Sequence, residues 1–259
     1  MDNPLLRALS LLMDWVAERL RDLFQWPVNL VRDAPVRLAR LLITLWAAVS
    51  GAAGLLRGDN ESSDSIPHRI GAWAQRLLLA LFDLAGWPEI CQFVMHLLMP
   101  TSPLTASEIA EVGSVLGDRA IRWADVRVAQ GGLLRLIFRY NGGRAFCTWH
   151  TIHLQEEGKH SRDDFSLLVH ELTHVYQYEN LGSRYMTEAI HAQIKMGQRC
   201  YDYGGGDGLE EALRLKRAYK TYNRESQAQI AQDFYRRRAR QADVSMYEPY
   251  ISELQGARF

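Results

Sequence analysis

The chain has 259 residues, of which 47% are hydrophobic and 23% charged, so it can bury a sizeable core as one large domain or two smaller ones. Lysine plus arginine and aspartate plus glutamate each number 30, and this balance argues against a nucleic-acid partner and an acidic target surface. The three cysteines stand far apart without a C-x-x-C pair, which argues against a disulfide framework and a cysteine zinc site and favours a reducing compartment.

The N-terminal sequence, MDNPLLRALS, gives no sign of export. An acidic residue, Asp2, precedes the apolar residues, and the segment lacks the basic region and the small-residue cleavage site of a secretory signal peptide. We therefore expect synthesis and residence in the cytoplasm. From residue 5 to about residue 26, apolar residues recur at helical spacing, which predicts an amphipathic helix that needs a partner.

Two apolar stretches follow this helix. Residues 41–56 carry no charge, and a helix of that length spans about 24 Å, short of the roughly 30 Å of a bilayer core, so a buried helix is favoured over a membrane span. Residues 77–87 are interrupted by Asp83, which suits a packed helix, and the polar segment 57–67 predicts a linker. Residues 1–100 are thus predicted to form an all-helical module for docking, with membrane contact through both apolar stretches left open.

A second domain, residues 104–259, is predicted to begin after the proline-flanked MPTSP. Thr105 and Glu108 have the spacing of a helix capping box, so a helix is expected from there to about Gly117. Further helices are expected near 187–199 and 224–238, with the glycine-rich 204–208 as a mobile loop between them.

Three segments between these helices predict a small antiparallel sheet. They are rich in β-branched and aromatic residues and are separated by glycine turns, and they read DVRVA, LLRLIF and RAFCTWHTIHL. The predicted fold class is therefore α+β and mostly helical.

The stretch LLVHELTHVYQYENLG (167–182) carries a His-Glu-x-x-His motif in a predicted helix capped by Ser161 and Asp164. His170 and His174 are four residues apart, so both imidazoles can point at one ion, with Glu171 at the edge of the site. Two histidine nitrogens, a third protein ligand and an open position for water are what a catalytic zinc site requires.

We therefore predict one zinc ion per chain. Glu171 is predicted to act as the general base that takes a proton from the activated water and returns it to the leaving amine. The alternative is a helix with two structural histidines, because the motif also arises by chance.

The third ligand is left open by the spacing. The metzincin continuation is absent, and a carboxylate from a later helix is the gluzincin alternative; the candidates are Glu188, His191, Asp202, Glu225 and Asp233. Candidate donors to the oxyanion or contacts to the substrate are His191, Tyr201 and Tyr203.

Three ordered blocks carry a resemblance to a known family. The blocks are LTASEIAEVGSVLGDRAIRWADVRV (104–128), LLVHELTHVYQYE (167–179) and YNRESQAQIAQDFY (222–235). Together they resemble a bacterial family of zinc metallopeptidase domains described as spike-related ("vgr related"), which occurs with type VI secretion and other contractile injection systems. The resemblance covers about residues 104–240 and does not reach the N-terminal hundred residues.

The resemblance implies a compact zincin-like domain of the gluzincin type, in which Glu225 is the third zinc ligand and Asn223 caps its helix. Thermolysin-like enzymes place an aspartate four residues beyond the ligand glutamate to orient a histidine, and this sequence has Gln229 there. Gln229 and Asp233 are expected to lie next to the ligands, with a glutamine polarising the imidazole less than an aspartate would.

The predicted function is hydrolysis of a peptide or amide bond, by an enzyme that is injected as an effector or associated with the secretion spike. Its expected partners are a protein or peptide substrate, the spike and a cognate immunity protein. One alternative is a non-catalytic adaptor stapled by a metal, and another is a toxin whose N-terminal helices insert into a membrane. Glu171 favours the hydrolase, because a structural site needs no such glutamate and closes its fourth coordination position.

Overall fold

The computed structural model describes residues 4–57 and 66–256. Its helices are α1 (Pro4–Arg57), α2 (Ile66–Leu84), α3 (Trp87–Leu98), α4 (Ala106–Leu116), α5 (Leu134–Asn141), α6 (Phe165–Leu181), α7 (Arg184–Met196), α8 (Gly205–Arg214), α9 (Arg224–Ala239) and α10 (Glu248–Gly256). Its strands are β1 (Thr101–Ser102), β2 (Arg127–Ala129), β3 (Phe146–Thr148) and β4 (Thr151–His153). The predicted fold class, α+β and mostly helical, is confirmed.

The N-terminal region is helical, but its helices differ from the predicted ones. The segments 5–26 and 41–56 belong to the single helix α1, which continues through Pro27 and Pro35. The apolar stretch 77–87 is divided between α2 and α3 at Gly86, whose φ of 75° is left-handed. The predicted linker lies almost wholly outside the described residues.

α1 has the length and composition that could cross a membrane, although only 6% of its most apolar window is buried within the protein. α2 and α3 pass the same test only as a pair, and they are bent by 68° relative to each other. A core helix of a soluble protein passes this test too, so composition alone does not place α1 in a bilayer.

The predicted capping box is present at the start of α4. The Thr105 hydroxyl accepts a hydrogen bond from the Glu108 backbone N–H (3.2 Å), and the Glu108 carboxylate accepts one from the Thr105 N–H (2.6 Å). Arg162 donates to the same carboxylate, which ties the segment before α6 to the start of α4.

The sheet is mixed, so the prediction of an antiparallel sheet was wrong. Its strand order is β1-β2-β4-β3, with antiparallel outer pairs and a parallel central pair of β2 and β4. The cause is LLRLIF, which forms most of α5: Leu134 and Phe138 are four residues apart and bury one face of a helix against Met99 and Ala129. A helical connection between β2 and the β3–β4 hairpin allows parallel pairing.

α6 lies at the centre of the second half of the chain and is buried from Ser166 to Tyr178. Asp164 caps its N-terminus and Gly182 follows its last turn, as predicted, whereas Ser161 is not the capping residue. α6 packs against α9, α4 and α7, and strand β3 lies against it. The glycine-rich segment 204–208 forms the start of α8, so the predicted mobile loop was wrong.

Candidate metal centre

α6 and α9 bring three potential metal ligands together. His170 and His174 come from successive turns of α6, and Glu225 comes from the first turn of α9, which Asn223 caps as expected. Nε2 of His170 lies 3.4 Å and Nε2 of His174 lies 3.6 Å from the same oxygen of Glu225, Oε2. Ligand atoms in a tetrahedral zinc site are roughly 3.4 Å apart, since each lies about 2.0–2.2 Å from the ion. The three side chains therefore fit one zinc ion.

The three groups are electrostatically coupled. Burial lowers the pKa of His174, but the negative charge of Glu225 outweighs it and raises this pKa to about 9. Burial raises the pKa of Glu225, but the charges and hydrogen bonds of the two histidines hold it well below its usual range. The buried carboxylate thus requires a positive charge beside it, which a proton or a metal ion can supply.

Glutamine side chains fix the orientation of two ligands. Oε1 of Gln177 lies 2.9 Å from Nδ1 of His174, while the Gln177 amide nitrogen donates to the side chain of Gln227. The Gln177 oxygen is therefore the acceptor, Nδ1 carries the proton, and Nε2 is left free toward Glu225. Gln193 of α7 donates a hydrogen bond to Oε1 of Glu225 (2.9 Å), and Oε2 of Glu225 faces the histidines.

Sequence reasoning missed both glutamines. Gln177 could have been found, because it follows His174 by three residues on the same helix, a spacing at which side chains meet. Gln193 comes from a different helix, and no spacing in the sequence connects it with Glu225.

Glu171 lies beside the ligands without belonging to them. It is buried, and this burial, aided by the nearby negative charge of Glu225, raises the pKa of its carboxyl against the opposing effect of the histidines. Its Oε2 is buried without a hydrogen-bond partner among the described residues. A buried carboxylate oxygen without a partner is costly and is suited to accept a proton from a ligand in the adjoining cavity.

Two cavities meet at this centre. Both are lined by Ala145, His170, Glu171 and Tyr201. The ring of Tyr201 lies 5.9 Å from that of His170, and burial raises the pKa of the Tyr201 hydroxyl. Strand β3 borders one of the cavities and is an outer strand of the described sheet. Its Cys147 carbonyl accepts a hydrogen bond from the Tyr185 hydroxyl of α7 (3.2 Å).

Three of the candidate third ligands lie away from the histidines. His191 is exposed on α7 and lines a separate cavity beside α2 together with Glu188. His191 is therefore neither a metal ligand here nor in a position to donate to an oxyanion at the metal centre. Glu188 accepts a hydrogen bond from Arg224 (2.7 Å), and Asp202 accepts one from the backbone N–H of Gly204 (2.9 Å).

Tyr203, Gln229 and Asp233 also have other partners. The Tyr203 hydroxyl donates to Asp233 (2.8 Å), and the Gln229 amide donates to Asp233 (3.0 Å) one turn further along α9. No hydrogen bond of the described residues joins Gln229 or Asp233 to a metal-site histidine, and it is Gln177 that orients His174. Of the three predicted oxyanion or substrate contacts, Tyr201 is the one that lines the centre, and Gln229 lines the second cavity together with it.

Comparison with known families gives one match. A family model described as the eCIS core domain, for extracellular contractile injection systems, matches residues 104–182. The matched segment runs from the start of α4 to the end of α6 and contains His170, Glu171 and His174, but not Glu225. No curated protein and no solved structure matches the chain. The match is consistent with an association with contractile injection systems, as the predicted resemblance implied.

Proposed function

We propose that this chain is a zinc-dependent peptidase of bacterial origin that acts with a contractile injection system, as a delivered effector or as an enzyme associated with the spike. Synthesis would be cytoplasmic, and a protein or peptide is the expected substrate. The observation that carries the proposal is the convergence of His170, His174 and Glu225 beside the buried, unpartnered carboxylate oxygen of Glu171.

His170, His174 and Glu225 would hold the zinc ion, which when bound lowers the pKa of a coordinated water to about 7 and polarises a carbonyl group. Glu171 would take the proton from the attacking water and pass it to the leaving amine. Its raised pKa suits this exchange, because a general base works best when its pKa lies closer to the working pH.

A peptide can enter the site as an extended strand. β3 is an outer strand that borders the cavity, so an extended peptide would lie along it. The Cys147 carbonyl of β3 already accepts a hydrogen bond from the Tyr185 hydroxyl, so side-chain contacts as well as backbone pairing would orient the substrate. Tyr201 would donate a hydrogen bond to the oxyanion, since its raised pKa keeps the hydroxyl protonated.

The decisive experiment is Glu171→Gln in the full-length protein, with Glu188→Gln as the matched control on α7. We expect Glu171→Gln to retain the fold and about one zinc ion while losing turnover by roughly 10² to 10⁴, the usual contribution of a general base. Cleavage of an unstructured protein, self-cleavage, and growth arrest on expression in a bacterial cytoplasm or periplasm are the readouts. If the wild type and Glu171→Gln agree in every readout, with zinc in both, the peptidase proposal fails.

A non-catalytic adaptor is the second candidate, and the surface of α1 favours it. This helix exposes large apolar side chains along its length, which is a surface typical of protein or membrane contact. An adaptor predicts that Glu171→Gln changes nothing, whereas Trp46→Asp, on the exposed face, abolishes association with a spike complex or with lipid vesicles in flotation.

A further inference from the structure

We propose that the cleft at the metal centre is polarised, with an apolar arm on one side and a basic arm on the other. It would therefore bind a peptide that has apolar side chains next to a run of aspartate or glutamate. Cleavage of such a peptide rests on the proposed function, but its binding does not.

The apolar arm lies between β3 and α7. Its walls are Phe146 from the edge strand and Met186, Ala189 and Ile190 from successive turns of α7. Ile190 is 47% exposed and its side chain adjoins the cavity, so apolar surface is available there to a bound side chain. Burying a side chain of leucine or phenylalanine size contributes about 1.5–3 kcal/mol.

The basic arm begins on the other side of His170 and Tyr201. Four cationic or titratable side chains line it, from three separate segments: Arg144, Lys159, His160 and Arg236. Asp164 and Glu171 are the acidic side chains in this lining, and the Asp164 carboxylate already accepts hydrogen bonds from the Leu167 N–H and the Ser166 hydroxyl as the cap of α6.

Two of the cations in this arm have no ion-pair partner in the part of the chain that the structure describes, whereas Arg236 lies 3.6 Å from the Asp233 carboxylate. Arg144 and Lys159 form no ion pair among the described residues, and the neutral amide of Gln198 is the polar group beside Arg144. Some arginines elsewhere in this half of the chain are paired, such as Arg162 with Glu108 and Arg224 with Glu188. Unpaired charges of one sign along a cleft concentrate the potential and attract a ligand of the opposite sign.

A peptide fits this arrangement better than a nucleic acid does. The apolar arm adjoins the basic arm at His170 and Glu171, so one extended peptide would place side chains in both arms. A nucleic acid would leave the apolar arm unfilled.

Binding is measured with the full-length, zinc-loaded Glu171→Gln protein, so that turnover does not interfere. The probes are fluorescein-labelled ten-residue peptides whose halves are Leu/Phe/Ala and Asp/Glu, made in both orders, together with peptides in which lysine replaces the acidic half. We expect the better acidic peptide to bind at least 10-fold more tightly than its lysine counterpart by fluorescence anisotropy. Arg144→Glu/Lys159→Glu should remove this preference, and Ile190→Asp should weaken both kinds of peptide.

The matched control is Arg139→Glu/Lys220→Glu, which makes the same change in net charge at exposed residues outside both arms. It should leave the preference unchanged. The proposal fails if the acidic and lysine peptides bind equally or if neither binds. It also fails if the control variant has the same effect as Arg144→Glu/Lys159→Glu, or if a thymidine oligonucleotide binds more tightly than the acidic peptide. Preferential binding without cleavage by the wild type supports the polarised cleft and counts against the peptidase alone.

Discussion

Helices α1 and α6 both bury charged or titratable side chains, but they surround them differently. In α1, Arg37 is 2% exposed and pairs with Glu89, and Asp33 pairs with Arg122. In α6, two histidine nitrogens face one oxygen of Glu225, and a carboxylate oxygen of Glu171 has no partner. α1 also has buried polar atoms without a hydrogen-bond partner within the described ranges, such as Nε of Arg19 and Oδ1 of Asn29. What distinguishes α6 is that its unpartnered carboxylate oxygen lies beside three potential metal ligands, which together leave a position for an ion. Burial of charge alone does not mark a functional site.

The outer face of α1 exposes large apolar side chains to solvent, unlike the buried α6. Phe24, Val31 and Trp46 are 70%, 75% and 71% exposed, while the charged Arg19 and Arg37 are buried against the rest of the chain. α1 is therefore attached mainly through polar contacts, such as those of Glu18 with Arg127 and Arg32 with Asp125. α6 is instead held mainly by apolar packing, with Leu168, Leu172 and Val175 in the core.

The largest effect is expected at the ligands of the metal centre. Glu225→Ala removes the oxygen that both histidines face, so zinc affinity should fall by more than the roughly 10–100-fold expected of an outer hydrogen-bond partner. Glu188→Ala is the matched control, and competition with a chromophoric chelator measures both. Equal losses in the two variants, or undiminished zinc in His170→Ala/His174→Ala, would contradict the assignment.

The next effect is expected in the attachment of α1. Arg37→Ala leaves Glu89 buried without its partner, and the free energy of unfolding should fall by about 3–5 kcal/mol. Leu42→Gln, at a side chain that is 55% exposed, should change it by less than about 0.5 kcal/mol. Urea unfolding measures both variants. A comparable loss in Leu42→Gln would show that the outer face of α1 is covered in solution.

A smaller effect is expected from the side chain that orients His174. Gln177→Ala removes the acceptor of the Nδ1 proton, so zinc affinity should fall by roughly 10–100-fold with the fold retained. Gln229→Ala tests the role that the sequence assigned to that residue. Chelator competition should show little change for Gln229→Ala, and the reverse ranking of the two variants would reinstate the sequence-based expectation.

Local signals in the sequence predicted much of the centre. The capping box of α4, the histidines one turn apart and the capped start of α9 all depend on residues close in sequence. Glu225 entered only through the family resemblance, because spacing left five candidates open. Gln193 could not be predicted, since its contact with Glu225 depends on how α7 packs against α9.

Tertiary packing overrode the local signals elsewhere. Apolar spacing predicted a helix only to about residue 26, and Pro27 and Pro35 each remove a backbone donor, yet α1 continues through both. Ion pairs on both sides of the prolines tie the helix to the same body, as Glu18 and Arg37 show. LLRLIF has strand-like composition, but the burial of Leu134 and Phe138 on one face makes it helical.

The smallest effect, no change in zinc, is expected when residues 1–100 are removed. The potential ligands and the glutamines that orient them lie on α6, α7 and α9. α6 packs mainly against elements within residues 101–256, and its contact with the N-terminal helices at Tyr178, near Phe82 and Met95, lies beyond the ligand histidines in the sequence. The groups that lose partners, such as His150 and Arg127, would become exposed to water, which lowers the cost of their separation.

The chain of residues 101–259 should therefore bind about one zinc ion with an affinity within roughly threefold of the full-length value, since no ligand or orienting side chain is lost. Its Glu225→Ala variant controls for adventitious binding, and circular dichroism reports the fold. Exposed apolar surface on the N-terminal helices should make the full-length protein, and not the truncated one, bind a hydrophobic dye. If the truncated chain is unfolded even with zinc, α1–α3 and residues 101–259 form a single folding unit. The difference between the polar contacts of α1 and the metal centre of α6 is then a difference within one domain.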